Sequence, residues 1–511
     1  MKKFWLALLP VFAVALNPVS AQDLNEALNL SNLSVQGTAR SMGFGNALGS
    51  VGGDFSSLSV NPAGIGIYRS SELSITPSLK INGADASYQG VNTSDFNGKL
   101  NFNNFGVVFT NAPSGKRYER HSWKAVSFAI GMNRVADFNH NYTYTGNNST
   151  SSASLAFEAD ANYDSNAVRD PSTLGYMGYT TNLIGGFIAG SYNSRVPYKG
   201  GINQLNAVKE RGSINEYVIS LGGNYKEKLM LGATIGIPML RYTRTSDYTE
   251  KILTGNTASN QYNFESFTYN NKLDISGGGI NLKLGAIYKL TDFFRIGAAI
   301  HTPTIYSITD VSDYGIATKI NGNIYDVSTA NDLPVFRFDY KFVTPLRSVL
   351  SATFILKKIG FLTADYEFVD YTTMRFIYPA GLDGSVSYAY EAKQINDALK
   401  SMYKSASNLR LGAEVKLSKY VMVRGGVGYY GNPYRNADVP SERIDISAGV
   451  GYRKRSFFAD FAIINSHYQF SEMPYSNIDF DYVNSTKAVA LPVADIKASI
   501  NNAAFTVGVK F

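Results

Sequence analysis

The sequence predicts an all-β protein: a transmembrane antiparallel β-barrel of about fourteen strands whose lumen holds the N-terminal segment. Three observations predict it. The chain of 511 residues opens on a secretory leader and contains no cysteine. Apolar and polar residues alternate with a period of two in segment after segment, down to the last residue. Short and long connections fall on opposite sides of that alternation, as turns and loops do at the two rims of an outer-membrane barrel.

The leader, residues 1–21, reads MKKFWLALLPVFAVALNPVSA: two lysines, an apolar stretch, then small residues at Val19 and Ala21. Its apolar run is broken by Pro10 and is too short to cross a hydrocarbon core of about 30 Å as a helix. Gln22 follows, so the expected mature chain begins there and carries no lipoprotein cysteine. Beyond it no apolar run approaches the roughly 20 residues of a membrane helix. A membrane-embedded mature chain must therefore cross as a closed barrel, in which every backbone group is paired between strands.

Without cysteine there is no disulfide, thiolate metal site or cysteine nucleophile. The formal charge of +7 includes Lys2 and Lys3, which leave with the leader. Lys and Arg do not cluster among aromatics, which argues against nucleic acid as a partner.

Residues 22–69 have no sustained period of two; Gly, Ser, Asn and Ala dominate, and this segment is expected to fill the lumen as a hatch. Gly43, Gly45 and Gly49 miss the spacing of a dinucleotide loop and follow no strand. In Asn61-Pro62-Ala63-Gly64, Pro62 fixes its own φ and pushes Asn61 towards an extended conformation, while Gly64 permits a turn. The Asn61 side chain is placed to cap free backbone groups there. Residues 70–511 form the barrel, with strands expected near 70–80, 101–110, 123–138, 214–226, 229–249, 266–290, 292–308, 346–357, 360–372, 407–418, 419–430, 443–454, 456–468 and 500–511.

Turns between these strands are short on one side, and the long segments 139–213, 309–345, 373–406 and 469–499 lie on the other. Arg295, Asp365, Glu367, Arg410, Glu414, Arg424, Asp445 and Asp460 share the parity opposite the large aliphatics. In a bilayer they must face the lumen, since a charge on the lipid side at mid-depth costs about 2–4 kcal/mol. There they are expected to form ion-pair networks. The chain ends in FTVGVKF, where Phe505, Val507, Val509 and Phe511 alternate with wettable residues. This is expected to be the terminal strand read by the barrel-assembly machinery.

The stretch from Thr38, TARSMGFGNALGSVGGDFSSLSVNPAGIGIYRSSELSI, resembles the N-terminal signature of FadL/TodX-type outer-membrane transporters. The family pattern is an A-R-x-x-G-x-G-x-A run, here Ala39, Arg40, Gly43, Gly45 and Ala47, followed by N-P-A-G and the first strand. The resemblance covers about thirty residues; beyond them it is one of architecture. It implies a fourteen-stranded barrel closed by an N-terminal hatch, in the outer membrane of a Gram-negative bacterium. It also implies passive uptake of a hydrophobic small molecule, fatty-acid-like or aromatic, captured by extracellular loops and released sideways into outer-membrane lipid at a kinked third strand.

Gly131 is the candidate for that kink, because a glycine inside a strand marks a bulge, a bend or the close approach of another backbone; room for the hatch is the other reading. The loop after the third strand supplies the candidate ligand contacts Leu174, Tyr176, Met177, Tyr179, Leu183, Ile184, Phe187 and Ile188, with a short helix conceivable over 183–188. Packing of loop against loop is the alternative. His121-Ser122 and Ser466-His467 are strand neighbours pointing to opposite faces, so no catalytic triad assembles and no enzyme is expected. His140, His301 and His467 lack a spacing that would join them as haem ligands, so no cofactor or metal is expected. The rival reading on the same fold is an accessory subunit of a secretion system that binds protein rather than lipid.

Overall fold

The alternating segments become strands whose apolar parity faces outward. The computed structural model describes residues 20–164, 166–186, 191–254, 260–379, 388–475 and 491–511. Residues 1–19 of the expected leader lie outside the described residues. The strands are β1 (Glu72–Tyr88), β2 (Val91–Asn111), β3 (Trp123–Asp137), β4 (His140–Asn148), β5 (Ile202–Tyr225), β6 (Leu229–Ile252), β7 (Phe264–Lys289), β8 (Phe294–His301), β9 (Ile305–Ile320), β10 (Asn323–Ser328), β11 (Phe336–Val343), β12 (Arg347–Leu356), β13 (Gly360–Asp370), β14 (Arg375–Ile377), β15 (Ser405–Lys416), β16 (Val421–Tyr430), β17 (Arg443–Lys454), β18 (Phe457–Glu472) and β19 (Ala494–Lys510). They build a closed antiparallel barrel of 14 strands, because β3 with β4, β8 with β9, β10 with β11 and β12, and β13 with β14 each follow one course along the wall. Closure is by β19 against β1, with Glu72 opposite Lys510 and Ser87 opposite Asp495.

The terminal strand shows how the wall divides its two faces. Phe505 and Val509 are exposed on the outer face and Val507 is half-buried there, while Thr506 is buried inside. The backbone N–H of Phe511 donates to the Ser71 carbonyl at 3.0 Å, fastening the chain end to the start of the wall. Inward parity carries the charges. Arg424 lies 2.7 Å from Glu414 and 2.7 Å from Asp460, and Arg410 lies 3.2 Å from Glu367, which also pairs with Arg347 at 3.1 Å. These pairs are nearly or fully buried, where an ion pair depends on having all its partners in place.

The expected long loops need correction: β4 and the first half of β5 lie within 139–213, and β14 lies within 373–406. The segment 309–345 is not a loop: β9, β10 and β11 occupy most of it, and Asn323–Ser328 folds back on Ile320–Gly315 through a turn at Asn321-Gly322. Both turn residues have positive φ, 50° and 76°, the conformation that tight hairpins demand. The strands rise beyond the apolar band, where both faces can be polar and the alternation fades. β1 and β2 also extend to a two-residue turn at Gln89-Gly90, far past the expected strand ends, and the β2 arm keeps Phe96, Leu100 and Phe102 on its exposed face.

The N-terminal segment lies inside the barrel. It comprises α1 (Ser20–Ser31), α2 (Ala39–Gly43) and two 3-10 turns, Phe55–Ser59 and Pro62–Ile67. From Gly37 to Gly66 nearly every residue is buried. The remaining helices are α3 (Lys116–Arg120) in a short-side turn, and α4 (Ser154–Tyr163), α5 (Leu174–Thr180) and α6 (Tyr388–Met402) in the long loops.

Candidate functional site: hatch, wall seam and loop cap

The hatch is held by polar groups that the wall turns inward. The Ala39 N–H donates to Thr506 Oγ1 at 2.7 Å and the Gly49 N–H to Asp365 Oδ2 at 2.9 Å. Ser59 donates to Glu216 at 2.7 Å, and His301 Nε2 meets the Val60 carbonyl at 2.8 Å. Arg40 reaches Glu414 at 3.2 Å and so joins the Arg424 network. Asn61 caps the second 3-10 turn: its Oδ1 accepts from the Ala63 N–H at 3.1 Å, and its Nδ2 donates to the Gly49 carbonyl at 2.6 Å. Pro62 occupies the first helical position and Gly64 sits against Ser57 and Gly52, so the four residues act as a structural turn.

Where the hatch backbone touches the wall, the wall is glycine. Side chains at Gly232, Gly412 and Gly426 would overlap the main chain of Pro62, Phe44 and Gly45. Gly131 belongs to this seat. It pairs in regular register with Gly106 on one side and Val218 on the other, and a Cβ there would lie 2.6 Å from Phe55 Cζ of the hatch.

The third strand breaks further along, between Asp137 and His140. The Asp137 carboxylate accepts from the Asn139 N–H at 3.1 Å and Nδ2 at 3.0 Å, a local turn that competes with the ladder. Lys80 and Arg134 converge on the same carboxylate, each at 2.7 Å. On the neighbouring strand Gly212, at φ 130°, offers its carbonyl to the Phe138 N–H. A seam in the wall follows. β2 pairs with β3 only over Asn104–Asn111, whereas β4 continues along β5 alone. Residues 91–103 of β2 therefore have no ladder on that side among the described residues. Tyr142 and Tyr144 of β4 pack behind β1 and β19, against Ala84, Ala86, Tyr88 and Ile496. The freed arm of β2 stands outside with Leu100 78% and Phe96 73% exposed. Three side-chain bonds bridge the seam: Thr93 to the Thr143 carbonyl, Lys99 Nζ to Asn139 Oδ1 at 2.7 Å, and Asn101 Nδ2 to Asp137 Oδ2 at 3.1 Å.

Above the hatch the lumen is apolar. Ile214, Leu240, Ile275, Tyr306, Phe342 and Phe376 line it, and Ala27, Leu28 and Leu30 of α1 pack against them. α6 closes this region with Ile395 and Leu399. α1 is also held by polar contacts: Tyr403 Oη donates to the Leu24 carbonyl at 2.8 Å, and Arg347 to that of Ser31.

The loop candidates fall mostly inside a core of their own. Leu174, Met177, Leu183 and Ile184 are buried with Phe157, Phe264 and Leu333; Tyr176 is half-buried and Tyr179 exposed. Phe187 and Ile188 lie outside the described residues. Residues 183–186 are not helical; the helices described in this loop are α4 and α5, and Thr173 starts α5 by accepting from the Tyr176 N–H. Glu158 and Asp160 of α4 tie the loop together by accepting from the Ser194 and Gly175 N–H groups, each at 2.7 Å; burial raises the pKa of both. Of the histidines, His140 and His301 are buried and His121 and His467 exposed. Among the described residues no group of three potential metal ligands converges.

No family model and no curated protein matches the sequence. Solved structures do. A FadL homologue from Pseudomonas aeruginosa aligns over 94% of this chain and 99% of its own, with a TM-score of 0.54 at 13% identity. The P. putida toluene transporter TodX aligns over 89% and 94%, with a TM-score of 0.49 at 11% identity. The Ralstonia pickettii toluene transporter TbuX aligns over 92% and 99%, with a TM-score of 0.45 at 14% identity. The fourteen strands and luminal hatch agree with what the N-terminal motif implied, and the end-to-end alignment shows that this chain shares the fold of the P. aeruginosa FadL homologue.

Proposed function

We propose that the protein is an outer-membrane channel for passive uptake of hydrophobic small molecules, which leave the lumen sideways through the seam between β2 and β4. The seam carries this reading. The axial route is filled by the hatch, whereas the wall beside the apolar upper lumen lacks a backbone ladder over residues 91–103 of β2 and is bridged by side chains. Side-chain bridges can part without breaking a sheet, and an apolar solute gains by moving from the lumen to the bilayer. The N-terminal motif and the shared fold support the same reading.

The chain has no cysteine, so a pair can be introduced cleanly. Thr93→Cys with Thr143→Cys, joined by a disulfide or a short bis-thiol reagent, should abolish uptake of a fluorescent fatty acid into proteoliposomes, and reductant should restore it for the disulfide form. Undiminished uptake with the cross-link formed would exclude the lateral route.

A further inference from the structure

A second feature of the wall lies on its outer face, at the short-turn end. A notch of about 580 Å³ opens there. Its walls are Val126, Leu221, Leu231 and Leu284, with Trp123 among its lining residues. The floor follows from the register: Gly223 stands opposite Leu231 and Val126, and Ala233 opposite Leu221 and Leu284. The Trp123 ring stands over Gly223, and Ala233, small among large neighbours, leaves the hollow beside it, whose mouth faces the bilayer because Trp123, Val126, Leu221, Leu231 and Leu284 are all exposed. An apolar hollow in hydrocarbon needs an apolar filler, since unfilled walls lose their dispersion contacts.

The rim chooses the filler. Trp123 packs edge-on against Tyr225 at 5.5 Å, and Lys226 Nζ lies 5.3 Å from the Tyr225 ring centroid. Aromatic rings at this position mark the depth of lipid headgroups. Lys226 and Lys228 are exposed, and the carboxylate between them, Glu227, is taken by Arg69 at 3.0 Å. The adjoining turn adds α3, Lys-Arg-Tyr-Glu-Arg, whose three cations are exposed. A hydrocarbon hollow beside a turn with two exposed lysines is complementary to one chemistry, a fatty chain bearing an anionic head.

We infer that this notch is a specific site for an anionic phospholipid of the periplasmic leaflet, with an acyl chain in the hollow and its phosphate against Lys226 and Lys228. The site requires that the barrel sit in the outer membrane with its short turns on the periplasmic side. It does not require that the barrel carry cargo. The notch lies on the outer face behind the hatch seat, where Gly222, Gly232 and Gly285 meet Ile65, Pro62 and Asn61. A lipid held there braces the wall on the side opposite the hatch.

The test is native mass spectrometry of delipidated protein in mild detergent, titrated with phosphatidylglycerol or phosphatidylethanolamine of identical chains. One lysine beside an anionic head is worth about a fivefold preference. The wild type should retain one phosphatidylglycerol many-fold better than phosphatidylethanolamine. Lys226→Ser with Lys228→Ser, on an exposed turn, should bring the two lipids close to parity. Ala233→Leu, which fills the hollow, should lower retention of both, with heat-modifiable gel migration reporting that the barrel is intact. Equal retention by the wild type, an unchanged preference in the lysine variant, or full occupancy in a folded Ala233→Leu protein would each overturn the site. The cross-linked Thr93→Cys/Thr143→Cys protein should still bind the lipid, and would do so whether or not uptake proves lateral.

Discussion

At the scale of the residue, the barrel and its hatch are fitted by absence of side chains as much as by their presence. Gly131→Ala would put a methyl group against Phe55 and the Phe105 carbonyl. Overpacking of this kind costs about 1–3 kcal/mol. The variant should therefore lose its folded, fast-migrating gel band at a lower temperature than the wild type, whereas the exposed Gly98→Ala, with nothing within 4 Å, should not. Arg424 makes the opposite case. Its side chain is buried between Glu414 and Asp460, so Arg424→Met strands the Asp460 carboxylate, leaves Glu414 to Arg40 alone, and should destabilise by about 3–5 kcal/mol, read in the same assay. Both positions were legible in different degrees. The inward parity of Arg424 follows from alternation alone, because a charge facing lipid is too costly. The role of Gly131 does not, because a strand glycine looks the same in sequence whether it bends the wall or admits a ring from a segment 76 positions earlier in the chain.

At the scale of the element, the last strand and the third strand show what periodicity reports and what it misses. Phe505 and Val509 face outward as alternation requires, and Phe511 is tied to Ser71. Deleting Phe511 should reduce the amount of assembled barrel at the cell surface, measured by protease accessibility of the loops; normal levels would mean that assembly reads another signal. The third strand was placed correctly up to its break, but the break itself was invisible. It depends on Asp137 gathering Lys80, Arg134 and Asn139, and on Gly212 in a strand reached only after the long loop. The loop candidates failed to separate for a similar reason. Leu174, Met177, Leu183 and Ile184 are apolar whether they meet a ligand or one another, and only the fold shows them turned towards Phe157 and Phe264. Making them polar should therefore loosen the loop as a unit, seen as faster hydrogen exchange across α4 and α5 together.

At the scale of the whole molecule, a wall of fourteen strands surrounds a segment that touches strands from both ends of the chain. Removing residues 22–60 should raise single-channel conductance in planar bilayers, because Arg40, Gly49, Ser59 and Val60 would no longer bind the wall. Unchanged conductance would mean that the long loops, not the hatch, set the resistance. The glycine seat also constrains the order of construction. Ala39 is bonded to Thr506, and Thr506 is bonded in turn to Thr76 across the very junction that completes the cylinder. With main chain pressed on main chain at Gly232, Gly412 and Gly426, seating the segment and closing the cylinder are expected to proceed together. The part made first is enclosed by the part made last; the protein is wrapped around its own beginning.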